Sequence, residues 1–274
     1  MAQVTSKSSR RTSLGVLGLF ALSVLLLAGM FSVLAQPWVH LSWWRTFRRC
    51  VSIASAVSLW LVITKIERRS LRSYGFLDWR TGKYQLGLGL LLGIGSLVTL
   101  LGVGVIAGWC RIALSPDRFK LWTLLLGFLP AAILVGVLEE LVFRGFLLQR
   151  LMAYSHRLAI IGSSVVYALV HLKNPEISLL TCLELGGLFL LGWVLSLSYL
   201  KTGQLYLPVG LHAMLAYGAR VNKVLIEFPH VSLAWLSGTS RLVNGLLGWT
   251  ILCVMAGMFY WGGGVIFKRR REMP

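Results

Sequence analysis

The stretch VGVLEELVFRGFLLQRL, residues 135–151, places two carboxylates side by side in a run that otherwise reads as buried helix. The whole chain has nine acidic residues, so two adjacent ones among leucines and valines call for a reason. A carboxylate at the middle of a membrane helix costs about 2.5–3.5 kcal/mol on insertion scales. Two neighbours cost more, because like charges repel. Arg144 follows Glu140 by four positions and therefore shares its helix face, where the two can pair. Glu139 lies about 100° further round and is poorly placed for the same arginine. The spacing thus reads as a structural pair, Glu140–Arg144, and a second acid, Glu139, left to face something else. The alternative is that both glutamates lie near a helix end and touch water, with Arg144 and Arg150 marking the membrane margin.

The remaining polar inventory bears on that choice. Of five histidines, His40, His156 and His230 fall in or near expected loops and read as surface residues. His171 closes the apolar stretch SSVVYALVHL, and His212 lies in LPVGLHAML shortly after Pro208 and Gly210. A lone histidine within a membrane is usually an interhelical hydrogen-bonder. Two of them on different spans from an unpaired glutamate form a set that can take a proton from water and donate to a developing oxyanion.

These residues need helices to hold them. Apolar letters make up 57% of the 274 residues and charged ones only 13%, about half the charged share of a soluble domain. The mean hydropathy is +0.76. Several apolar runs reach the roughly 20 residues that cross a bilayer core. The expected architecture is all-α: one polytopic membrane helical bundle filling residues 1–274, with about eight transmembrane helices near 13–35, 50–66, 84–109, 121–141, 156–171, 178–200, 204–220 and 246–267. The run from Leu14 to Ala35 exceeds the roughly 7–15 residues of a signal-peptide core and reads as a retained first helix.

With eight spans, one face collects the basic residues around Lys7–Arg11, Lys65–Lys83, Arg150, Lys201 and Lys268–Arg271. The positive-inside rule then sets both termini in the cytoplasm, and the expected location is the plasma membrane of a bacterium. The net charge of +18 invites a nucleic-acid reading, but these residues sit in short loops beside apolar spans, where the anionic bilayer surface explains them. No nucleic-acid partner is expected. The four cysteines are dispersed and imply no disulfide framework.

The segment 121–220 resembles the CPBP family, the Abi or type II CAAX-protease group of intramembrane endopeptidases. EELVFR matches its EExxxR motif. YALVH is similar to its second motif, with Tyr167 for the more usual Phe. HLKNP and YLKTGQLYLPVGLH resemble the approach to the third motif, which begins at His212. The resemblance implies that Glu139 activates the attacking water, His171 holds that water from another helix, Glu140 and Arg144 shape the site by pairing, and His212 donates to the oxyanion. It implies membrane-associated protein or peptide substrates, and CAAX-box processing in one branch. Asn174 reads as part of a turn or as a substrate contact. Glu184, where the family commonly has a polar residue, reads as lining the cavity or pairing with a basic residue of another span.

Three questions stay open at this stage. The third motif usually reads HxxxN or HxxxD, whereas this chain has Ala216 four residues after His212. A missing oxyanion donor is worth about 10²–10³ in rate, which supports a rival reading as a non-catalytic membrane binding or immunity protein unless Tyr217 or Asn222 substitutes. The group is described both as metalloproteases and as glutamate proteases. HExxH is absent here, so no metal is expected, with Zn²⁺ held by Glu139, His171 and His212 as the alternative. Finally, counting along the expected spans puts Glu139 and His171 at opposite ends of the bundle. They meet only if the fifth span starts deeper or if residues 142–155 form a separate in-plane helix.

Overall fold

In a computed structural model the protein is described over residues 2–113, 117–171, 177–229, 231–238 and 241–262. Pro37 falls where the first long helix, α1 (Ala2–Ala35), gives way to a single 3₁₀ turn, Gln36–Trp38. After it come α2 (Trp43–Leu61), α3 (Trp79–Ile106), α4 (Arg118–Glu140), the single turn α5 (Gln149–Leu151), α6 (His156–His171), α7 (Leu179–Thr202), α8 (Tyr206–Leu225), the short α9 (Ala234–Ser237) and α10 (Leu246–Trp261). Among the described residues the strand content is one pairing, Arg111–Ile112 (β1) antiparallel to Ile226–Glu227 (β2). Each of the eight expected segments contains a helix, the last of them, 246–267, running past the described residues after 262, and the all-α membrane bundle holds.

Five of them are long and apolar enough to cross a bilayer alone: Ser13–Trp38, Trp43–Glu67, Trp79–Ile106, Leu121–Leu151 and Leu179–Thr202. The other three are α6, α8 and α10. α6 and α10 have 16 residues each, about 24 Å of helix, short of the hydrocarbon core. α8 carries His212, Arg220 and Lys223, but much of its surface is covered by protein rather than lipid.

The expected fourth span, 121–141, ends too early. α4 does not stop at the glutamates. It continues through a π-helical stretch, Leu141–Leu148, into α5. The reason is that Glu140 and Arg144 satisfy each other, so the charges do not force the chain out to water. Glu139 therefore lies well inside a long helix, and α6, returning from the turn at 152–155, brings His171 level with it. Neither a deeper fifth span nor an in-plane helix is needed.

Close helix approach comes from small residues, as expected where lipid offers no hydrophobic drive between helices. α8 is clasped between α3 and α4. A Cβ on Gly89 of α3 would overlap the Leu207 carbonyl, and one on Gly210 of α8 would overlap the Leu86 carbonyl. Gly136 on α4 faces Val209 and Ala213. On the other side of the bundle, Gly192 of α7 meets Ser164 of α6, and the Ser163 and Ser196 hydroxyls lie 3.3 Å apart. A core of Phe143, Tyr167, Leu191, Leu195, Leu211 and Leu252, with their neighbours, joins these layers around the polar site.

Candidate active site

Arg144 and Glu140 are fully buried, and Arg144 Nη1 donates to Glu140 Oε1 at 2.8 Å. The i,i+4 pairing expected from the spacing is present. Two further partners hold it. Arg144 Nη2 donates to the Gly192 carbonyl of α7 at 2.9 Å, and His212 Nδ1 lies 2.7 Å from the same Glu140 oxygen. The guanidinium also sits over the Tyr167 ring at 4.9 Å and the Phe143 ring at 5.7 Å. One arginine thus ties α4 to α7, and one carboxylate ties α4 to α8.

Glu139 points elsewhere. Its Oε2 lies 3.0 Å from His171 Nε2 and 3.6 Å from His212 Nε2. The two imidazoles approach one carboxylate oxygen from α6 and from α8, and the hydrogen bonds behind them fix their tautomers. His171 Nδ1 is 2.8 Å from the Tyr167 carbonyl, which only accepts, so that nitrogen carries the proton. His212 Nδ1 faces an ionised carboxylate and is a donor for the same reason. Both Nε2 atoms are therefore the working nitrogens. The Glu139 and His171 side chains are each 27% exposed, against 6% for His212, while the Glu139 Oε2 that both imidazoles face is itself buried.

Tyr167 supplies a wall rather than a titrating group. Its ring stacks 4.2 Å from His171 and stands edge-on to Phe143 at 5.1 Å. Glu184 is half-buried and pairs with Arg241, in the segment that precedes α10. Of the two readings open for Glu184, pairing with a base is the one found. Burial lowers the Arg241 guanidinium from its usual pKa, and the nearby positive charge of Arg48 adds to that shift. Asn174 and His230 lie outside the described residues.

Neither proposed substitute for the missing third-motif amide is at the site. The Tyr217 hydroxyl donates to the Leu125 carbonyl at 2.8 Å, far up α4 from Glu139. Asn222 lines a small cavity with Leu100, Gly104, Cys110 and Phe228, about 15 Å along α8 from His212. Ala216 stands alone one turn beyond His212, partly buried.

Sequence reasoning missed the Glu140–His212 bond, the Gly192 carbonyl and Arg241. The serine and glycine spacing at 163, 164, 192 and 196 was the available sign that α6 and α7 touch. Nothing local marked Arg241. Two imidazole nitrogens and a carboxylate suit zinc in kind. Among the described residues, however, no three His, Cys, Asp or Glu side chains are arranged as a metal-ligand group. The fit is thus one of donor type and not of arrangement.

What the arrangement offers is a partly exposed glutamate whose inner oxygen has one imidazole beside it and a second, buried imidazole anchored from behind. Residues 121–218 match the family model described as Type II CAAX prenyl endopeptidase Rce1-like. The match holds every residue of the cluster except Arg241. No curated protein matches the chain. No solved structure matches it either.

Proposed function

We propose that this chain, whose residues 121–218 match the Type II CAAX prenyl endopeptidase Rce1-like model, is a CPBP-family intramembrane protease that hydrolyses peptide bonds of membrane-associated proteins or peptides through water activated by Glu139 and His171. The observation that carries this reading is the convergence of two Nε2 atoms, from α6 and α8, on Glu139, the one of the two adjacent glutamates that does not pair with Arg144. Glu139 takes a proton from a water held against His171. The resulting hydroxide attacks the scissile carbonyl carbon, and the π pair moves onto its oxygen. His212 Nε2–H meets that oxyanion while Nδ1–H stays on Glu140. Collapse of the intermediate expels the amine, which takes up the proton stored on Glu139.

The charges support this sequence. To donate from both nitrogens His212 must be an imidazolium. Arg144 is balanced by Glu140, and the imidazolium by Glu139. When Glu139 becomes protonated, its negative charge reappears on the oxyanion beside His212. The site stays neutral throughout, which is what a fixed, poorly solvated environment stabilises best. We favour a reaction without metal. Zinc on the same three side chains is the alternative, separated by assaying the purified protein with and without 1,10-phenanthroline. In our reading the protein lies in a bacterial plasma membrane with both termini cytoplasmic, and substrates need not be prenylated.

Ala216 favours a second reading, a non-catalytic relative that binds membrane proteins. The two are distinguished with Glu139→Gln in liposomes against a panel of membrane-associated peptides. We expect cleavage to fall by about 10²–10⁴ with yield and thermal midpoint unchanged. Parental cleavage by the variant would remove Glu139 from the mechanism. Absence of cleavage by the parent would favour the binding protein.

A further inference from the structure

Helices α4 and α8 carry the catalytic glutamates and His212, and they do not stay together along their length. They are pressed close at Gly136, where a Cβ would lie 3.1 Å from the Val209 carbonyl. The Tyr217–Leu125 hydrogen bond bridges them further along. Around that bridge and beyond it the two helices border a cavity of about 740 Å³. Volumes of this order hold small-molecule ligands.

The groove has two chemistries. Along α4 it is lined by Phe119, Thr123, Leu124, Gly127 and Phe128, and a Cβ on Gly127 would meet nothing within 4 Å. Along α8 it presents Arg220 and Lys223, which are exposed, with Val224 beside them. Three residues apart, the two cations share a helix face. Asp117 stands on the groove's rim, leaving the lining net positive. Apolar walls within a spanning segment, flanked by two cations, suit a molecule with a hydrocarbon chain and an anionic head. A free phosphate would gain nothing from the walls. A zwitterionic lipid would gain little from the cations.

We propose that this groove is a binding site for one anionic phospholipid, its acyl chain against Gly127 and Phe128 and its phosphate on Arg220 and Lys223. The proposal is independent of the endopeptidase reading, because none of these residues belongs to the catalytic cluster. The occupant would lie at the far end of the helix pair from the level at which Glu139 meets His212.

The test is lipid binding by the full-length protein in neutral detergent, followed by native mass spectrometry. Phosphatidylglycerol and phosphatidylcholine of identical chains are titrated separately. The parent is expected to retain one phosphatidylglycerol with about tenfold preference, the scale of one net positive charge and more near a lipid surface. Arg220→Gln/Lys223→Gln should bring the two lipids to near parity. Gly127→Leu should weaken both lipids severalfold with an unchanged thermal midpoint, since the added side chain fills the groove without a clash. Equal retention of the two lipids by the parent overturns the site, as does a preference that survives the double substitution or binding that ignores Gly127→Leu. Displacement of the lipid by glycerol 3-phosphate at equal concentration would make this a site for a free phosphate and overturn the lipid assignment. Because no cleavage is measured, failure here leaves the endopeptidase reading standing, and failure of that reading leaves this one.

Discussion

Of the glutamate–arginine pairs among the described residues, Glu140–Arg144 and Glu184–Arg241 are built differently. Glu140–Arg144 is local in sequence, fully sealed, and joined to His212 and the Gly192 carbonyl. Glu184–Arg241 joins α7 to the segment before α10, and its side chains are 17% and 21% exposed. The first is shielded from solvent, so a charge left alone keeps only His212, for Glu140, or the Gly192 carbonyl, for Arg144. The second is partly exposed. The difference teaches that the same two residue types act as a structural keystone in one place and as a replaceable contact in the other. The element that decides is what surrounds the pair.

Removing a partner is the strongest way to break that contrast. Arg144→Ala leaves Glu140 buried with only His212, and we expect a loss of about 3–5 kcal/mol, read as a drop in thermal midpoint and yield in detergent. Glu140→Gln/Arg144→Ala should be less damaged than Arg144→Ala alone, because the orphaned charge is gone. A double variant as unstable as the single one would show that Arg144 matters for its packing on Tyr167 and Phe143 and not for its charge.

A second substitution sharpens the contrast from the catalytic side. Ala216→Asn places an amide one turn beyond His212, on the same face. It should raise kcat towards 10²-fold, the scale of a single oxyanion donor, and leave KM nearly unchanged, since it acts on the intermediate more than on the ground state. The assay compares parent and variant in liposomes, with Glu139→Gln as the blank. A slower Asn variant would mean that the site is already complete without it.

The smallest effect belongs to the open pair. Arg241→Gln should lower stability by only about 1–2 kcal/mol, because water can serve Glu184. A loss as large as that from Arg144→Ala, measured in the same detergent, would erase the distinction between the two pairs.

The pairs also mark what was legible beforehand. Glu140–Arg144 could be read from a spacing of four, since helix geometry carries that information within one turn. The convergence of Glu139 with the two histidines rested on motif resemblance, because no local rule brings residues 139, 171 and 212 together. The eight helices were legible from apolar length, yet the end of the fourth was not. A mutually neutralised pair looks, in sequence, like a reason to stop a helix, and in the fold it permits the helix to continue. Arg241 was invisible because its partner lies 57 positions away and nothing periodic links them.

The π-helical stretch Leu141–Leu148 has a consequence for insertions and deletions. A π turn holds one residue more than the α turn it replaces. Deleting a single residue there would restore an uninterrupted α-helix, but it would turn the glutamates by about 100° relative to Gly145, which packs on the Tyr74 carbonyl, and Arg150, which pairs with Glu67. The backbone would remain regular while the site came apart. In a deletion scan this stretch should therefore behave unlike the surface turns. Length, more than the identity of any single side chain, is the quantity held fixed between Arg150 and the two glutamates.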